Sequence, residues 1–173
     1  MRKECACQNN EDNAEAEGME EDEEQAEQDE MLFAGAGEVL PNLGRAMTPD
    51  TFAPLLQGAL MEMLLKKTGT STTERAVAVG ILANCAEPLR GRLEPFLPAL
   101  LPVFTAGLQD ESNILRNNAV FGLGETVMWG GAAMVPHYSG ILQQLSKLLG
   151  VEQTPRVLDQ IVGALARSVA FCT

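Results

Sequence analysis

The chain has 173 residues, 46% of them apolar and only 5% aromatic, with a formal net charge of −12. Four cysteines are too few for a disulfide framework, no Asn-x-Ser/Thr acceptor occurs, and no run of 18 apolar residues spans a bilayer, which excludes disulfide scaffolds and membrane-spanning chains. The acidic, polar amino end does not read as a signal peptide, so the expected setting is the reducing cytoplasm and nucleus.

The charge is concentrated at the beginning. Residues 1–30 hold 13 acidic side chains against Arg2 and Lys3, whereas residues 31–173 carry 11 acids and 10 bases. With no apolar stripe to bury, residues 1–30 are expected to form a disordered arm or loop. A polyanion repels nucleic acid and anionic membrane surfaces and attracts basic partners. The candidate contacts are Glu20, Glu21, Asp22, Glu23, Glu24, Glu27, Asp29 and Glu30. The competing reading is a solubilising loop with no dedicated partner. A calcium loop does not fit, because Glu20–Glu30 contains no glycine at which an EF-hand could turn.

Residues 31–47, ending Glu38-Val-Leu-Pro41-Asn-Leu43, read as a lone second helix whose partner is missing. From there the chain repeats with a period of about 41. Phe52-Ala-Pro54, Leu93-Glu-Pro95 and Met134-Val-Pro136 mark three first helices. Their apolar positions recur in register: Leu56, Leu97 and Tyr138; Ala59, Leu100 and Ile141; Leu60, Leu101 and Leu142; Met63, Phe104 and Leu145. Within each unit these fall at i, i+3, i+4 and i+7, one stripe of an α-helix. Each proline is expected in a first turn, where its missing N–H costs little. Second helices follow, with Ala78, Ala119 and Ile161 equivalent, and likewise Leu82, Leu123 and Leu165. The segments 68–73, 109–112 and 150–153 read as turns between the helices of each pair. The expected pairs are 48–88, 91–130 and 133–171, an all-α solenoid. No polar capping helix is evident at either end, so an internal slice of a longer protein is expected.

Helix pairs at this period are the HEAT-repeat pattern. Glu111-Ser-Asn-Ile-Leu-Arg116-Asn-Asn-Ala-Val-Phe-Gly-Leu-Gly124 resembles the second helix of nuclear transport receptors of the importin-β (karyopherin-β) family, and Asp50-Thr-Phe-Ala-Pro-Leu-Leu56 resembles a first helix. The order of an acidic stretch, then Met31–Pro41, then Phe52-Ala-Pro54 is similar to the carboxy-terminal half of a family member in which an acidic loop interrupts a repeat. The resemblance covers nearly all of residues 11–173. It implies a carrier of basic protein cargo, including histones and ribosomal proteins, moving through nuclear pores under the GTPase Ran. It also implies Ran and nucleoporin contacts through the parent protein, although family Ran sites lie mostly in an amino-terminal half absent here.

On the second helices, Arg116, Asn117, Asn118 and Glu125 are candidates for a concave face that contacts an extended peptide, because an Asn amide offers both donor and acceptor to a backbone. The alternative is that Arg116 and Asn117 hold inter-repeat turns. Trp129 offers a ring for a basic side chain, or simply packs. Catalytic chemistry finds no constellation: His137 is the single histidine, Cys5-Ala-Cys7 has no second pair in reach, and Gly35-Ala-Gly37 and Gly122-Leu-Gly124 each lack the third glycine of a dinucleotide loop. The expectation is a non-enzyme without cofactor or metal. A HEAT scaffold with no transport role, or a truncated product that self-associates, are the alternatives.

Overall fold

The structure, a computed structural model, describes residues 35, 37–61 and 71–170. The chain divides into two units, Met1–Ala36 and Gly37–Thr173, and all described residues except Gly35 belong to the second. The acidic stretch, with its candidate contacts from Glu20 to Glu30, therefore lies outside the described residues.

The described residues are helical and contain no strand. A helix over 37–46 (α1) is closed at its carboxyl end by a side chain from far along the chain: Arg92 donates from Nη1 to the Met47 carbonyl at 2.6 Å and from Nη2 to the Gly44 carbonyl at 2.8 Å. A guanidinium placed there satisfies terminal carbonyls and complements the negative end of the helix dipole.

Helix α2 (Pro49–Leu55) has Pro49, not Pro54, in its first turn. Pro54 lies late in the helix, where it has no N–H to offer the Asp50 carbonyl. Directly after it the chain winds as a π-helix over Leu56–Met61. The first-turn expectation thus fails for this repeat. In the next two, a 3-10 turn precedes the α-helix: Glu94–Phe96 before α4 (Leu97–Gly107), with Pro95 in its first turn, and Gly131–His137 before α6 (Tyr138–Leu149), with Pro136 inside it.

Helix α3 (Thr72–Asn84) begins with a reciprocal capping box. The Ser71 hydroxyl accepts from the Glu74 amide, and the Glu74 carboxylate accepts from the Ser71 amide. The segment expected as a turn over 68–73 is therefore already helical at Thr72 and Thr73, and its first three residues lie outside the described set. Helices α5 (Asn113–Trp129) and α7 (Pro155–Ala170) follow the loops at 109–112 and 150–154.

The repeated apolar positions form one continuous core. Leu56, Leu97, Leu100, Phe104, Ile141 and Leu145 from the first helices are buried with Ala119, Leu82, Leu123 and Ile161 from the second. The side chains of Ala59, Leu60 and Met63 lie outside the described residues. The residues that lead each proline motif, Phe52, Leu93 and Met134, are also fully buried and anchor the start of each unit. Helix α5 packs against α4 and lies between α3 and α7, an all-α solenoid arrangement of HEAT type. Close approach within a pair needs a glycine: at Gly122 a Cβ would overlap the Phe104 ring. On α7 a second apolar series faces outward. Val162 and Val169 are 57% and 63% exposed, while their equivalents on α5, Val120 and Val127, are fully buried.

Candidate partner-binding face

The second helices carry the polar side chains singled out from the sequence, and α5 presents most of them. Its start is built by two short side chains. Ser112 caps the helix by accepting from the Leu115 amide, and Asp110 Oδ1 accepts from the Ser112 amide at 2.9 Å. This places Arg116 between the loop of its own helix pair and that of the next. Its Nε and Nη2 donate to the two carboxylate oxygens of Glu152 at 2.7 and 3.1 Å, and its Nη1 donates to the carbonyls of Asp110 and Glu111.

Glu152 is buried and also accepts from the amides of Gln153 and Thr154 at 3.0 and 2.9 Å. The Arg116 hydrogen bond foremost, then these further bonds, hold its carboxyl down at about 2 against the opposing effect of burial. The same pairing raises the already high pKa of Arg116. The side chain read as a peptide contact is thus bonded on all three of its nitrogens within the fold. An equivalent pair links the preceding repeat, where Arg75 Nη2 lies 3.5 Å from Asp110 Oδ2.

Asn118 donates from Nδ2 to the Ala76 carbonyl of α3 at 2.8 Å, over Gly80, where a side chain would crowd the amide. Asn117, half-buried, donates only a long bond of 3.4 Å, to Asn118 Oδ1. Down the same ridge, at steps of four, come Phe121, Glu125 and Trp129. Glu125 accepts from the Trp129 indole N–H at 2.9 Å and lies 3.7 Å from Arg167 Nε of α7. Arg90 stacks on the Trp129 ring at 5.0 Å and Arg167 lies over Phe121 at 5.9 Å. The cation over Trp129 is accordingly supplied by this chain itself.

Of the four candidates, Arg116, Asn118 and Glu125 are joined to neighbouring repeats, and Asn117 retains the most freedom. Sequence reading missed Glu152, Asp110, Arg90, Arg92 and Arg167. The signal for the first two was present, because an acid stands in the loops at 109–112 and 150–153, each ahead of a second helix. Arg167 carries two buried nitrogens, Nε and Nη2, with no hydrogen-bond acceptor among the described residues. They lie against Gly124, where a Cβ would meet Nη2 at 2.7 Å.

His137 is exposed and borders a groove of about 760 Å³ on the first-helix side, lined by Leu97, Pro98, Leu101, Pro102, Ala133 and Pro136 among others. Among the described residues no group of three or more His, Cys, Asp or Glu is close enough to hold a metal ion. No described helix is long and apolar enough to cross a membrane.

Residues 72–126, from the first turn of α3 into α5, match the model of the HEAT-like repeat family. The chain is 40% identical over 144 residues to importin-4 of Homo sapiens and 38% identical over 145 residues to importin-4 of Mus musculus, in each case across 83% of this chain. It is also 26% identical over 152 residues, 86% of the chain, to the probable importin subunit beta-4 of Schizosaccharomyces pombe. This is a HEAT-repeat segment of the importin-β family. It spans 13% of the length of either importin-4 and 14% of the yeast relative. The ladder of Arg75–Asp110 and Arg116–Glu152 is one polar device, beside the shared apolar core, that joins successive repeats in this stretch.

Proposed function

We propose that this importin-β segment belongs to a nuclear transport receptor that shuttles between cytoplasm and nucleus, and that its acidic stretch captures basic protein cargo such as histones or ribosomal proteins. The observation that carries the reading is the pairing of importin-4 similarity across 83% of the chain with 13 acidic residues packed into positions 1–30. Glu20, Glu21, Asp22, Glu23, Glu24, Glu27, Asp29 and Glu30 are the capture residues. They act as a polyanion that speeds encounter with Lys/Arg-rich segments and loses its grip as salt screens it. The segment works as a binding element without catalysis or cofactor. Ran and nucleoporins engage the receptor through the parent protein. The repeat units are 48–88, 91–130 and 133–171, and Asn117 is the concave-face candidate with most freedom to meet cargo.

A second reading, a HEAT scaffold for a multiprotein complex, is favoured by the internal engagement of Arg116, Asn118 and Glu125, which leaves the helices less polar surface for an extended cargo. Titration of the chain, and of a version starting at Met31, with a Lys/Arg-rich histone-tail peptide separates the two. Under the carrier reading the longer chain binds, the shorter does not, and affinity falls by about tenfold or more between low and physiological salt. Equal binding by both versions moves the cargo site to the helices. Binding by neither removes the capture role and favours the scaffold.

A further inference from the structure

A groove of about 310 Å³ opens between the first turns of α5 and α7, lined by Asn113, Ile114, Asn117, Thr154, Arg156 and Val157. Its chemistry is unlike the rest of the second-helix face. One guanidinium, two primary amides and a hydroxyl sit beside two branched aliphatic side chains, and no carboxylate lines it.

The Thr154 hydroxyl is engaged with Glu152, but the fold leaves most of the other polar groups free. Arg156 is exposed and has no hydrogen bond or ion pair among the described residues. The nearest carboxylates in sequence do not neutralise it. Asp159, on the same helix, forms no ion pair with it, and Glu152 is bonded to Arg116 and to the amides of Gln153 and Thr154. Asn113 opens α5, but Ser112 does the capping, so the Asn113 amide is free and exposed. Asn117 makes one long bond, and Ile114 is 60% exposed. Arg116, two residues from Ile114, has the contrasting fate of complete engagement in the joint. Stability therefore accounts for Arg116 and not for Arg156, Asn113 or Ile114.

We propose that this groove binds an extended peptide segment of a partner protein that carries a carboxylate side chain next to an apolar one. Arg156 offers the carboxylate a charge-assisted pair of hydrogen bonds. The amides of Asn113 and Asn117 each supply a donor and an acceptor, the two groups that an extended backbone exposes. The exposed Ile114 covers the neighbouring apolar side chain, and Val157, buried beneath, forms part of the groove floor. The volume is at the lower end of ligand sites, so the groove reads one or two residues and contributes a short contact within a larger interface. Its charge preference is opposite to that of the acidic stretch, and the inference does not rest on cargo capture by that stretch.

The test uses the ¹⁵N-labelled full chain near neutral pH and three capped pentapeptides centred on Leu-Glu-Leu, Leu-Gln-Leu and Leu-Lys-Leu. The readouts are the side-chain amide resonances of Asn113 and Asn117 and the Nε–H resonance of Arg156. Expected are saturable shifts with the Glu peptide, at least tenfold weaker binding of the Gln peptide, and no saturable response to the Lys peptide. Arg156→Ala should weaken the Glu peptide at least tenfold while leaving the melting temperature unchanged, and Arg156→Glu should reverse the preference toward the Lys peptide. The proposal is overturned if the Asn amides do not move with the Glu peptide, if Arg156→Ala binds it as well as the unaltered chain, or if the Glu and Lys peptides act alike.

Discussion

Two joints hold the second helices together, and they use the same parts with different results. At the first, Arg75 meets Asp110 through one 3.5 Å contact, with both side chains about a quarter exposed. At the second, Arg116 meets Glu152 through two bonds of 2.7 and 3.1 Å, with the carboxylate side chain only 4% exposed. Both acids also brace their loop by accepting from the amide two residues on. The difference arises from reach. Glu152 has one more methylene than Asp110, so it can bridge to the guanidinium while keeping its backbone bonds. Asp110 satisfies the Ser112 amide and leaves Arg75 at arm's length. A recurring motif in a repeat protein therefore does not fix the strength of a joint, because one methylene and the local burial decide it.

Removing the carboxylate at the stronger joint should have the largest effect. Glu152→Ala leaves the Arg116 fork and two loop amides without their acceptor, at a cost of about 3 kcal/mol, the lower end for a broken buried pair because Arg116 retains some exposure. For a chain of this length that corresponds to a fall of roughly 6–12 °C in melting temperature. Acid should act through the same group. Its folded pKa of about 2 lies below the ordinary 4.5, so its stabilisation is complete above pH 4.5 and is lost as pH falls from there toward 2. Urea midpoints at pH 6, 4 and 3 should fall more steeply in the unaltered chain than in Glu152→Gln, whose amide does not titrate. Parallel midpoints would show that the pair contributes nothing to acid sensitivity.

The weaker joint has a second tie, the Asn118 amide on the Ala76 carbonyl. Asn118→Ala should cost about 1 kcal/mol, the usual net worth of one such bond. Arg75→Ala should cost no more than about 0.5 kcal/mol, since a partly exposed single contact is worth little. Chemical denaturation of the three variants should rank them Glu152→Ala, Asn118→Ala, Arg75→Ala. An Arg75 variant as damaging as the Glu152 variant would refute the account based on reach and burial.

The repeat itself was legible because burial follows the 41-residue period. Each stripe position marked from Leu56 to Leu145 whose side chain is described is buried or half-buried. The importin-β resemblance was legible in the residues of α5. The placement of Pro54 was not, because the sequence offers Pro49 as an equally good helix start and local pattern does not choose between them. Arg116 was marked, but its partner lies 36 residues away in a loop that local pattern reads only as a turn. Contacts such as Arg90, in the turn after α3, on Trp129, or Phe104 against Gly122, join separate elements, so they depend on packing geometry that periodicity leaves unspecified. Asn113 and Arg156 were passed over for the opposite reason. Nothing in a stripe or a cap calls for them, and their availability is visible only once neighbouring groups are seen to be engaged.

The smallest effect provides the most local test of the comparison. Cys85 caps the carboxyl end of α3, the helix that the weaker joint ties to α5 through its first turn; it is fully buried, its thiol is pushed up to about 12 by desolvation, and Sγ donates to the Ile81 carbonyl at 3.3 Å. It should therefore resist a thiol reagent at neutral pH until the structure opens. Labelling followed peptide by peptide separates it from Cys5, Cys7 and Cys172. If α3 opens locally by loosening of the first joint, Asn118→Ala should speed Cys85 labelling several-fold, while Glu152→Ala leaves it nearly unchanged despite its larger global cost. If Glu152→Ala accelerates labelling more than Asn118→Ala does, Cys85 is reached only through global unfolding. The two joints then belong to one cooperative unit, and their difference in geometry has no counterpart in local stability.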